Sequence, residues 1–170
     1  MQTNNFQPLE GRWQELYLFA ISAERYAHED PLSSVIKLRS FSESLVGWIY
    51  RKLQLPTEPN DTLFEKVNAD VFVAIVDESI RQKIHAIRLL GNKAAHAKRN
   101  NVIKSNEALI LIKDAYLLGQ WLYKTYSDNS NDDYPEYRVP ESSVDQVDLL
   151  NQSNKKLSKL LVDAKNELEK

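Results

Sequence analysis

Apolar residues recur three and four apart along most of this chain, the period of helices that each bury one face. Trp13, Leu16, Tyr17, Ala20, Ala23 and Ala27 predict a first helix over about residues 12–28. Asp30-Pro31 reads as an N-cap followed by the first helical position, because proline lacks only an N–H that would go unpaired there anyway. A second helix follows from Pro31 to Gln54, burying Val35, Leu38, Phe41, Leu45, Trp48 and Ile49. On its polar side Arg39 and Glu43 are spaced to pair across one turn. LPTEPND, residues 55–61, is a loop, and Asp61 or Thr62 caps a short helix carrying Leu63, Phe64 and Val67. Residues 71–76 are β-branched enough for a strand, but no partner strand is apparent and helix is the better reading.

The stretch Ile80 to His96 has two faces at 100° per residue. Ile80, Ile84, Ile87, Gly91, Ala94 and Ala95 form an apolar stripe that narrows to small residues, and Gly91 suits a close approach by another helix. Arg81, His85, Arg88, Asn92 and His96 fall on an adjacent side, with no acid between Arg81 and Lys104. After an Asn100-Asn101 turn, Ser105 caps a core helix to Tyr126 that buries Ala108, Leu111, Ile112, Ala115, Leu118, Gly119 and Leu122. Short loops favour antiparallel neighbours, hence an all-α bundle of four or five helices.

Residues 127–141, SDNSNDDYPEYRVPE, have the composition of an exposed acidic linker between a bundle domain (1–126) and a C-terminal helix (142–170). In that helix Val147, Leu150, Asn154, Leu157, Leu161, Ala164 and Leu168 alternate by three and four. The pattern is a coiled-coil seam with one Asn that sets register, giving a homodimer, or else the face of a helix folded back on the bundle. No Gly or Pro stops it before Lys170, as expected of an excerpt from a longer chain.

Charge sharpens this picture. The 170 residues carry a net charge of −2, yet residues 76–104 hold seven basic residues against Asp77 and Glu78, and residues 127–148 hold seven acids against Arg138. The basic segment, with Arg39, Arg81, His85, Arg88, Lys93, His96, Lys98 and Arg99, is the candidate nucleic-acid surface. The bland reading is that Asn92 and His96 bond neighbouring helices and that Lys98 and Arg99 suit the negative end of the helix dipole. Trp13, Trp48 and Trp121 are core residues before they are stacking platforms. With no cysteine, disulfides, thiolate metal sites and a Cys nucleophile are excluded, which fits a cytoplasmic protein. His85 and His96 are eleven apart with no carboxylate on their stripe, so neither a metal nor a cofactor is expected. No signal peptide or apolar run of about 18 residues points to a membrane.

AERYAHEDPLSSVIKLRSFSESLV, followed after a gap by IHAIRLLGNKAAH, resembles the N-terminal helical domain of type I restriction-modification R subunits and related helicase-containing defence proteins. Asp30, Pro31, Gly91 and Asn92 stand at motif positions of the two blocks. The resemblance implies a HEPN-like bundle with a C-terminal helical extension. It also implies an accessory role, docking onto DNA or onto other restriction-modification subunits, and the basic segment with its acid-free stripe makes the expected duplex binding weak, salt-sensitive and without sequence preference. Cleavage and ATP-driven translocation would belong to other domains of such a parent.

Some HEPN domains are RNases, whose motif separates an Arg and a His by four to six residues. Here Arg88 and His96 have seven between them and Arg81 and His85 have three, so no catalytic residue is assigned. An RNase or toxin and a protein-only interaction module remain the alternatives.

Overall fold

The computed structural model describes residues 3–96, 102–129 and 131–168, without the side chains of 143–146, 149 and 161–168. Among the described residues there are helices and no strand: a 3-10 turn at Gln7–Leu9, then α1 (Gln14–Tyr26), α2 (Pro31–Leu53), α3 (Leu63–Asn68), α4 (Asp70–Val73), α5 (Glu78–Ala95), α6 (Ser105–Tyr126) and α7 (Ser143–Leu168). Half of the ambiguous run 71–76 thus belongs to the single turn α4, and the rest is turn and bend. The Asn100-Asn101 turn lies outside the described residues.

Local chemistry explains where these helices start. Asp30 accepts from the Ser33 backbone N–H at 3.1 Å, and Pro31 opens α2. Thr62 and Glu65 satisfy each other's backbone N–H groups at the head of α3, at 3.3 and 2.6 Å. Asp61 takes a different task, accepting from the Glu58 N–H at 2.8 Å and the Thr57 hydroxyl at 3.0 Å to close the preceding loop. At α6 the expected Ser105 cap is not found. Lys104 occupies the N-cap position, with its N–H donated to the Glu107 carboxylate at 2.9 Å. That leaves the Ser105 hydroxyl to reach the His28 carbonyl at 3.3 Å, tying α6 to the end of α1.

The four long helices α1, α2, α5 and α6 make the bundle, with α2 packed against the other three. Phe41, Leu38, Leu45, Ile49, Ile84, Ile87, Ile112, Leu118 and Leu122 are fully buried. Each such side chain contributes about 2 kcal/mol on leaving water. The stripes read from sequence supply these positions, except that Ala95 is exposed and Trp48 and Trp121 are only partly covered. Trp13, Trp48, Tyr123 and Tyr126 meet edge to face at one end, with ring centroids 5.2–6.3 Å apart.

The segment expected to be an exposed acidic linker behaves otherwise. Residues 131–140 form a strap on the bundle, and the compact unit ends at Pro140 rather than Tyr126. Tyr134 is 7% exposed, with its ring 5.5 Å from Tyr116 and 5.6 Å from Tyr123. Tyr116 donates to the Pro135 carbonyl at 2.6 Å. Asn5 closes a two-way bond with Arg138, donating to its carbonyl at 2.7 Å and accepting its N–H at 2.8 Å. Asp132, Asp133 and Glu136 stay exposed. The acids remain hydrated while the tyrosines supply the burial.

Beneath the strap lies Glu24, 8% exposed and bonded by Thr3 at 2.7 Å and by Asn5 at 2.6 Å. Burial raises its carboxyl above the ordinary value, partly offset by those two donors.

The second unit is α7, taken by itself. Val147, Leu150, Leu157 and Leu160 are exposed in the single chain, as is Asn154.

Candidate nucleic-acid interface

Gly91 places the basic helix. A Cβ built on it would stand 2.8 Å from the Arg39 Cβ, so only a residue without a side chain lets α5 lie this close to α2. The crossing brings together residues that are fifty apart in sequence, with Arg39 and Glu43 on α2 beside Arg88 and Asn92 on α5. The third wall is α3 with the residues leading into it, from Asp61 and Thr62 through Leu63 and Phe64 to Lys66. The cleft they enclose holds about 520 Å³.

Its chemistry is cationic with tethered acids. Arg39 Nε lies 3.0 Å from the Glu43 carboxylate, the i, i+4 pair expected from sequence. Asp61 is held by its own loop bonds. Arg88 and Lys66 make no ion pair among the described residues. The Arg88 guanidinium lies 4.9 Å above the centroid of the Phe64 ring, and the Phe64 ring itself is 5.9 Å from that of His85. Arg88 Nε also donates to His85 Nδ1 at 3.4 Å, a long bond that requires that nitrogen to be unprotonated. Burial first, then the charges of Arg88 and Arg81, hold the His85 imidazole below its ordinary pKa and favour the neutral ring.

The sequence stripe divides accordingly. Arg39, Arg88 and Asn92 line the cleft, and His85 sits behind Arg88. Arg81 does not line this cleft, and its Nε donates to the Val76 carbonyl at 3.2 Å. Lys93 and His96 are exposed on the last turn of α5 and at its C-cap. Lys98 and Arg99 lie outside the described residues. The acid-free appearance of α5 does not carry into space, since Glu43 and Asp61 arrive from other elements.

Phe64, Lys66, Asp61 and Thr62 line the cleft but lie outside the basic stripe that the sequence marks. No local pattern marks Phe64, because Leu63, Phe64 and Val67 fall within about 100° of one another on the helix and read as one apolar face. Val67 is buried, and Phe64 is 52% exposed. Among the described residues, no three of His, Asp and Glu gather in a metal-ligating group. Among the described residues no helix is long and apolar enough to cross a membrane.

Comparison with known proteins adds the family. No solved structure matches the chain. Over 141 residues it is 27% identical to the type I restriction enzyme EcoKI endonuclease subunit of Escherichia coli (strain K12). That alignment covers 83% of this chain and only 12% of the relative's length. A family model described as Domain of unknown function (DUF4145) matches residues 22–136, from the middle of α1 through most of the strap, and the chain belongs to that family.

Proposed function

We propose that this chain is an accessory domain of a DNA restriction and defence protein, the N-terminal domain of a type I restriction enzyme's R subunit or of a close relative. Its work is docking onto DNA or onto partner subunits of the restriction-modification assembly, with cleavage and translocation left to other domains. The observation that carries the reading is the similarity to an endonuclease subunit about eight times the length of the matched segment. The cationic cleft between α2, α3 and α5 supports the DNA arm, since Arg88, Lys66 and the exposed Lys93 offer charge to a phosphate backbone.

The test is titration of labelled duplexes of unrelated sequence with the full chain at low and at physiological salt. Weak binding that is equal on all sequences and falls steeply with salt is expected. Arg88→Ala with Lys93→Ala weakens it uniformly and flattens the salt dependence, the logarithmic slope falling by about one for each phosphate no longer neutralised. Absence of duplex binding at low ionic strength transfers the docking role to protein subunits, which a pull-down with modification and specificity subunits then tests.

A further inference from the structure

We propose that the cleft between α2, α3 and α5 seats one unpaired nucleotide of a nucleic-acid single strand, with its base stacked on Phe64 and the flanking phosphates held by Arg88 and Lys66. This deepens the DNA-docking reading and rests on it, but it names a different form of the polymer. Three observations converge. Phe64 remains 52% exposed although the Arg88 guanidinium covers it from 4.9 Å, so ring surface stays open to solvent beside a cation. An aromatic ring flanked by a guanidinium is a stacking platform that accepts any base. The cleft volume of about 520 Å³ lies within the range of sites that enclose small ligands, enough for a base and its sugar.

The polar groups fit the same occupant. Arg88 spends only its Nε, on His85, and keeps both terminal nitrogens free of described partners. Neither Arg88 nor Lys66 is ion-paired among the described residues, whereas Glu43 is engaged by Arg39 and Asp61 by Thr57 and Glu58. The lining thus carries three cations, Arg39, Lys66 and Arg88, against the carboxylates of Glu43 and Asp61, and the cleft keeps a net positive charge. The Asn92 side-chain amide, which lines the cleft, makes no hydrogen bond with a described residue and can meet a base edge as donor or acceptor. A duplex keeps its bases stacked inside and can offer this cleft only its backbone, so the interior of the site goes unused unless the strand is single.

The experiment is fluorescence anisotropy of the full chain with a labelled oligothymidylate, the same strand made abasic, and a duplex of equal length. The expected result is tighter binding to the oligothymidylate than to the other two. Phe64→Leu, which keeps apolar bulk and loses the ring, should weaken oligothymidylate binding roughly tenfold while leaving the abasic strand, the duplex and the salt slope unchanged. Phe64→Trp should retain or strengthen it. Because Phe64 is half exposed, both variants should melt as the parent does. Equal oligothymidylate affinity in Phe64→Leu, or preference for duplex, overturns the proposal. Binding to single strands with Phe64 dependence but to no duplex upholds it and removes only the duplex arm above. Binding to neither nucleic acid overturns both.

Discussion

Gly91 and Arg39 meet at the point where α5 crosses α2, and a methyl group on Gly91 would stand 2.8 Å from the Arg39 Cβ. Because that atom is fixed to the α2 backbone, it cannot swing aside as a side-chain tip would. Gly91→Ala should gain up to about 1 kcal/mol in helix propensity and lose about 1–3 kcal/mol to overpacking. The expected net outcome is a loss of about 1–2 kcal/mol in urea unfolding, together with weaker nucleic-acid binding, since the same crossing sets the cleft. A variant more stable than the parent would show that the helices can part there without cost.

Tyr134 offers the opposite kind of substitution. Its hydroxyl is buried without a hydrogen-bond partner among the described residues, and burial pushes its pKa far above the usual phenol value. Tyr134→Phe should be neutral or stabilise by about 1 kcal/mol, because it removes a desolvated polar atom and keeps the ring contacts with Tyr116 and Tyr123. Tyr134→Ala should cost about 3–5 kcal/mol. Thermal unfolding of both variants separates the ring's contribution from the hydroxyl's. A clear loss in Tyr134→Phe would mean the hydroxyl is bonded.

His85 makes stability depend on pH in a stated direction. Its folded-state pKa lies below the ordinary 6.5, so as pH falls through 6.5 the unfolded chain takes up the proton first. Stability is therefore lost as the pH drops from 6.5 through the depressed folded value. NMR titration should place the His85 midpoint below the ordinary 6.5. Arg88→Ala should move His85 back upward, because one of the two repelling charges is gone. An unshifted His85 in that variant would leave burial and Arg81 as the causes.

The exposed face of α7 predicts self-association. Leu150 and Leu157 are worth about 2 kcal/mol each once buried, and Asn154 can bond its own copy across a two-fold seam. Sedimentation of the full chain should show a concentration-dependent dimer, and a chain ending at Pro140 should be monomeric. The shortened form must keep the strap, since a cut after Tyr126 would also remove Tyr134 and Arg138 from the bundle. If both forms are monomers, the seam does not pair.

Much of the bundle was readable because helical periodicity reports burial directly. The faces of α2, α5 and α6 were recognised almost residue by residue, and the Asp30-Pro31 start of α2 carried its own mechanism. The strap was hidden because acid, Asn and Pro content reports solvation of most of its residues, while two or three tyrosines decide where it goes. Tyr134 and Tyr137 were the signal, aromatic residues set into an otherwise polar segment. The cleft was only half legible. Arg39, Arg88 and Asn92 could be found from a helix face, whereas Phe64, Lys66 and Asp61 join them through a crossing that no local pattern encodes. The same limit explains why α5 looked free of acids.

The two-way bond between Asn5 and Arg138 spans 133 positions of sequence. During synthesis the N-terminal segment therefore waits for nearly the whole domain to leave the ribosome before it finds this partner. Until then Asn5 has only water and Glu24, which Thr3 also bonds, and Tyr116 lacks the cover of Tyr134. The helices can assemble early from nearby contacts, but closure is late, because a contact so distant along the chain repays its entropy only once the rest is in place. The strap thus acts as the closing stitch of folding, and a nascent chain halted before Arg138 would present an open seam to the chaperones around it.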